Sequence, residues 1–235
     1  MQTEKLIATI QKHQREFHPV VAFNPLIDKL LPVDFTETNK ELTPELLGDA
    51  VMFTNYIHHK LQAAGCLLGI GGYAEHRTVY SRSNIFDADK PGEEPRRLHL
   101  ATDIWGKAGT KVYAPLGGMI HSFAYNNRFG DYGATIILLH QLDGIPFYTL
   151  YGHISLKDIK NLKEGSYVSR GQVIAHFGEP DENGQWPPHL HFQVIIDLQM
   201  RKGDYPGVCK YSEKALYLDN CPDPDLILQM NQYLQ

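Results

Sequence analysis

From Lys111 onward the chain is cut into short runs rich in apolar residues, with turn residues between them at intervals of about 8–12 positions. That rhythm is the spacing of an all-β sheet, barrel or sandwich. It predicts strands at 111–114, 119–125, 134–141, 146–153, 173–177 and 189–197. Asp143-Gly144, between Ile136-Ile137-Leu138-Leu139 and Phe147-Tyr148, is a hairpin signal. Gly117-Gly118, Gly130 to Gly133, Gly165 and Gly171 mark the other turns.

The first part of the chain reads differently. Over 3–17, Leu6, Ile10 and Phe17 recur at helical spacing, until Asn24-Pro25 breaks the pattern and a polar loop follows at 34–40. A second helix has Thr43 as N-cap, Pro44 at its first position and Gly65 as its stop, with Leu47, Val51, Thr54, Ile57 and Leu61 on one face. A charged, proline-bearing loop spans 87–97, and a short amphipathic helix is expected at 225–234. The expected organisation is a helical N-terminal extension, 1–68, on a mainly β, mostly antiparallel domain, 69–235.

Composition narrows the partners. The 235 residues can bury a sizeable core. A net charge of −5 with scattered Lys and Arg argues against nucleic acid or an anionic membrane as the main partner. No segment approaches the roughly 18 apolar residues of a membrane span. The N-terminus has no secretory pattern, and Cys66, Cys209 and Cys221 are odd in number and lack CxxC spacing. The expectation is a cytoplasmic protein with unpaired thiols, unless a leader has been removed.

Three clusters carry the chemistry. In Pro187-Pro188-His189-Leu190-His191-Phe192 the prolines disfavour helix, so both histidines share one face of a strand above the apolar Leu190 and Phe192. Two adjacent imidazoles suit a metal ligand beside a proton-transfer group. His99 and Asp103 stand four residues apart, on one strand face or across a bend, and Tyr151-Gly152-His153 ends a strand. Alone, each has a plainer reading: a chance pair, or a strand-end histidine bonded to backbone. His58-His59 diverge by about 100° on a helix and do not chelate one ion. His121, His140 and His176 lack partner spacing and read as packing or surface residues. His76, Arg77 and Tyr80 precede the clusters in a loop-like stretch that is a candidate cleft wall.

Together, His99-xxx-Asp103, Tyr151-Gly152-His153 and His189-Leu190-His191 resemble the lysostaphin-type (LytM-like) zinc endopeptidases over about 99–197. Gly109-Thr110-Lys111-Val112-Tyr113-Ala114-Pro115 and Gly165 to Ile174 match further family segments. The resemblance implies His99, Asp103 and His191 as ligands of one Zn²⁺ per chain, with His153 and His189 as catalytic histidines. It implies hydrolysis of a peptide bond, in peptidoglycan-type or glycine-rich peptides, by a zinc-activated water. The alternatives are a cytoplasmic zinc hydrolase of another peptide or amide, and a non-catalytic binding or activator module. The latter class normally shows lost ligands, whereas all five positions are filled here. Asp131-Tyr132-Gly133, the run 147–153, Asn183 to His189 and Cys221-Pro222-Asp223-Pro224 further resemble a divergent branch that includes fusions to kinase-like and class III aminotransferase-like modules.

Overall fold

The computed structural model describes residues 2–88, 90 and 92–234; Met1, Asp89, Pro91 and Gln235 lie outside it, so the loop expected at 87–97 is described only in part. The centre is an eight-stranded sheet, β1-β2-β4-β11-β8-β7-β6-β9. Its strands are β1 (Leu30–Val33), β2 (Leu68–Gly71), β4 (Thr102–Trp105), β6 (Gly118–Asn126), β7 (Gly133–Leu142), β8 (Ile145–Ile154), β9 (Tyr167–Val168) and β11 (His189–Ile195). All neighbours are antiparallel except β1 and β2. Two small pairs complete the β structure: β10 (Val173–His176) with β5 (Lys111–Tyr113), and β12 (Val208–Lys210) with β3 (Arg96–His99).

The strands expected after Lys111 stand within about two residues of their positions, because turn chemistry sets them. At the Asp143-Gly144 hairpin both central residues have positive φ, 49° and 79°, as a type I′ turn requires. Missed were β1, β2, β3, β4, β9 and β12, of two to four residues, too short to show alternation.

The expected N-terminal extension holds α1 (Gln2–Lys12), α2 (Pro44–Gly48) and α3 (Ala50–Ala63), and also β1, an edge strand of the main sheet. The helix expected from Thr43 to Gly65 is in fact two. Thr43 caps α2, but Asp49 leaves the helical region and caps α3 through Val51 N–H and Met52 N–H. The restart rotates the buried face: Phe53, Ile57 and Leu61 point inward and Val51 is exposed. At the other end, the helix expected over 225–234 stops as α5 (Asp225–Leu228), where Gln229 turns left-handed with φ 51°; α4 (Lys214–Asn220) precedes it.

Strand β11 is buried along its whole length and divides the core. Leu190, Phe192 and Val194 face one apolar cluster with Ile104, Ile136 and Phe177. On its other face lie His189, His191, Gln193 and Ile195, the last packed with Leu150 and Tyr132. A third cluster, containing Phe35, Phe53, Leu61, Val79, Tyr80, Trp105 and Trp186, packs the helical segment against the histidine-bearing side. The three cysteines are free thiols, and burial pushes Cys209 and Cys221 up to about 12. Among the described residues no helix is long and apolar enough to cross a membrane.

Candidate active site

Strand register assembles the site. In the β4–β11 pair, Asp103 lies opposite His191 and Trp105 opposite His189. His99 ends β3 and β4 begins at Thr102, after two intervening residues, so the four-residue spacing works across a bend and not along one strand. His99 Nε2, Asp103 Oδ1 and His191 Nδ1 then form a triangle with sides of 3.2, 3.2 and 3.3 Å.

The donor set fits a metal ion by geometry and by chemistry. A triangle with sides near 3.2–3.3 Å is one face of a tetrahedron whose centre lies about 2.0 Å from each corner, the zinc–nitrogen and zinc–oxygen distance. All three residues are buried, and Asp103 Oδ1 has no hydrogen-bond partner. A buried carboxylate oxygen left without a donor is costly unless a cation completes it.

The rings are oriented from behind. His99 Nδ1–H donates to the Gly72 carbonyl at 3.1 Å, leaving Nε2 as the free donor atom. His191 Nε2 lies 3.1 Å from Gln193 Oε1 and 3.4 Å from the Tyr132 hydroxyl, leaving Nδ1 free. Burial and the nearby Arg77 charge bring His99 down to about 4, so the imidazole is neutral, as a ligand must be. Burial alone would raise Asp103, but the adjoining His99 ring and the Arg77 guanidinium hold it well below the usual carboxylate range.

His153 and His189 stand beside the triangle, their rings stacked with centroids 4.1 Å apart. His153 falls in a bulge: Ala134 pairs with Ile154 and Ile136 with Tyr151, so Gly152 and His153 together face Thr135. The bulge turns His153 left-handed, with φ 60°, a conformation costing about 1–3 kcal/mol for a residue with a side chain. Three bonds hold it there: His153 N–H to Tyr132 O, Gly178 N–H to His153 O, and Nδ1–H to Asn183 O at 2.8 Å. Gly152 permits the close approach, since a Cβ there would lie 2.6 Å from Tyr132 Cδ1. His189 is sandwiched between His153 and Trp105, whose ring lies 3.9 Å away and nearly parallel, and its Nδ1–H donates to Pro187 O at 2.7 Å.

In both rings Nδ1 is thus committed to a main-chain carbonyl, and Nε2 is the nitrogen left over. The ordinary value near 6.5 does not survive folding: burial brings His189 to about 4 and, with the charge of His189 and His191, takes His153 well below 6.5.

An open cleft of about 760 Å³ leads to the site past Tyr80, Tyr132 and Trp186. A chamber of about 20 Å³ at its inner end is bounded by Asp103, His153, His189, His191, Arg77 and Tyr80, among others. Of the candidate cleft residues, Arg77 and Tyr80 therefore border the site, whereas His76 is exposed and packs on Tyr211. His58 and His59 are exposed, and His140 is buried away from the five site residues. Sequence reasoning missed Glu75, Gly72, Gln193 and Tyr132 as supports; only Tyr132, inside the quoted Asp131-Tyr132-Gly133 run, carried a signal.

A buried His–Asp–His set with two further imidazoles beside it suits a metal-dependent hydrolase. Residues 97–203 match the model of peptidase family M23. The L-Ala--D-Glu endopeptidase of Bacillus subtilis (strain 168) is 31% identical over 126 residues, which cover 52% of this chain and 36% of that protein. The chain thus spans about a third of the length of that curated relative. Similar solved structures include a zinc containing peptidase from Vibrio cholerae, at 26% identity over 47% of this chain and 31% of that one, with a TM-score of 0.35. The catalytic domain of lysostaphin from Staphylococcus simulans is 23% identical, over 56% of this chain and 85% of that one, with a TM-score of 0.35.

Proposed function

We propose that this protein is a zinc-dependent metalloendopeptidase that cleaves an amide bond in peptidoglycan-type or glycine-rich peptides. In this reading His99, Asp103 and His191 bind one zinc ion per chain, and His153 and His189 move protons. The observation that carries it is the near-equilateral triangle of donor atoms, one carboxylate oxygen without a hydrogen bond, beside a stacked imidazole pair. When bound, zinc lowers the pKa of a water to about 7 and polarises a carbonyl.

The remaining work falls to this chain's own groups. His153 and His189 each commit Nδ1–H to a main-chain carbonyl, which fixes the tautomer with an unprotonated Nε2. That nitrogen takes a proton from the nucleophile side and returns it to the leaving amine, a contribution of about 10²–10⁴-fold. Both rings start neutral near pH 7, because burial disfavours the charged form. The M23 match and the name of the Bacillus relative support a peptide substrate, with L-Ala–D-Glu peptides the first to try.

The test is metal content with single variants. His99→Ala, Asp103→Ala and His191→Ala are expected to lower zinc from about one per chain toward none. His153→Ala and His189→Ala are expected to keep zinc and lose about 10²–10⁴-fold in turnover of muropeptides. Loss of metal from His189→Ala with retention in His191→Ala reverses the assignment. Failure on every wall peptide with turnover of a soluble amide, against zinc-free controls, moves the substrate outside the cell wall.

A further inference from the structure

We propose that Arg77 is a positioning residue of the metal centre, holding Asp103 to ligation through one oxygen so that a coordination position stays open for the reacting groups. The proposal rests on the zinc reading above. A carboxylate has two oxygens, and with both free it can close on a metal ion as a chelate, filling the position that a catalytic zinc site keeps open. Here the two oxygens have separate partners. Oδ1 completes the triangle with the two imidazoles, and Oδ2 accepts a hydrogen bond from Arg77 Nη1 at 2.5 Å.

The guanidinium is built in. Arg77 is 1% exposed. Its Nε–H donates to Glu75 Oε2 at 2.6 Å, and its planar face lies over the Phe35 ring, 5.4 Å from the centroid. The sheet leaves room for it. Gly71 of β2 is the register partner of Asp103, and a Cβ at Gly71 would lie 2.7 Å from Arg77 Nη2. The next residue ties the arrangement to a second ligand, since the Gly72 carbonyl accepts both from His99 Nδ1–H at 3.1 Å and from Arg77 Nη2–H at 3.4 Å. One glycine pair therefore sets the angle of His99 and the seat of the group that fixes Asp103. Lysine does not replace this arrangement, because a single ammonium cannot span Glu75 and Asp103 with the planar fork of a guanidinium.

The experiment loads the metal-free protein with Co²⁺ and records its visible d–d absorption, which is strong for four-coordinate and weak for five- or six-coordinate cobalt. Wild type is expected to give the strong spectrum. Arg77→Met and Arg77→Lys are expected to lose intensity severalfold as Asp103 closes on the metal with both oxygens. Zn²⁺ affinity, measured by competition with a chromophoric chelator, should fall about 10–100-fold. Glu75→Gln, whose side chain is partly exposed, keeps the test alive if the Arg77 variants do not fold, and should give a smaller change of the same sign. A merely structural role would lower the melting temperature of the metal-free protein and leave the cobalt spectrum alone. Folded variants whose spectra superimpose on wild type overturn the proposal. A wild-type protein that takes up neither Co²⁺ nor Zn²⁺ fails the zinc reading instead.

Discussion

Two stretches of the chain build the site by different means. Residues 97–203 supply all five site side chains, and there the placing is done by strand register: Asp103 opposite His191, His191 opposite Gly152, and the bulge that holds His153. The stretch from Phe35 to Tyr80 supplies no donor and holds those that exist. Arg77 and Glu75 fix Asp103, the Gly72 carbonyl fixes His99, and Phe35 packs on Trp105, which is stacked on His189. Phe53 packs on Trp186, which in turn packs on His153. The difference separates placement from support: one stretch carries the five clustered side chains, and the other packs behind them.

The largest way to break that comparison is to separate the two stretches. Residues 69–235 alone lose β1 from the sheet edge and large buried side chains that include Leu6, Ile10, Phe35, Phe53 and Leu61. Each such burial contributes about 1.5–3 kcal/mol, so their joint loss is comparable to the about 5–15 kcal/mol that stabilises a whole domain. The expected result is a chain with no cooperative thermal transition and no near-ultraviolet dichroism. A folded 69–235 fragment that still binds zinc would make the N-terminal segment a dispensable extension.

The same contrast explains what could be read in advance. His189-Leu190-His191 declared its own geometry, because strand parity is a local property and two flanking prolines marked where it begins. The strands after Lys111 were legible for the same reason, with turn residues bounding each one. The supports were not legible. Arg77 meets Asp103 across 26 positions, and Phe35 meets Trp105 across a gap with no repeating pattern, so nothing near either residue announces the contact. The short strands β2 and β4 hid for a related reason: four residues, all buried, carry no alternation. The break between α2 and α3 turned on Asp49, which competes for backbone N–H groups more strongly than helix propensity alone indicates.

A smaller cut leaves the chain whole and loosens only the support. Phe53 is fully buried and packs on Phe35 and Trp186. Phe53→Ala is expected to cost about 3–5 kcal/mol. For a chain of this size that lowers the melting temperature by roughly 6–20 °C. Zinc content should stay near one per chain, while turnover falls through the loosened Trp186 wall behind His153. Calorimetry and metal analysis on the same sample separate the two effects. A variant that loses zinc in proportion to stability would mean that the support acts on the ligands as directly as register does.

The smallest expected effect lies within residues 97–203, where a further imidazole is buried for packing alone. His140, on the apolar-cluster side of β7, donates Nδ1–H to Gly117 O at 3.0 Å, and its Nε2 lies 2.8 Å from the Thr149 hydroxyl. Burial brings it down to about 4. The unfolded chain takes up a proton near pH 6.5 and the folded chain does not until about pH 4. The neutral histidine therefore costs no stability above about pH 6.5, and stability is lost as pH falls from there toward 4, by about 3 kcal/mol in all. His140→Gln removes that titration while leaving the donor set intact. Urea midpoints at about pH 7 and about pH 4 should therefore draw closer together in the variant than in wild type. An unchanged difference would mean that the acid sensitivity resides wholly in the site imidazoles His99, His153 and His189. The site histidines would then set the acid limit of both fold and function.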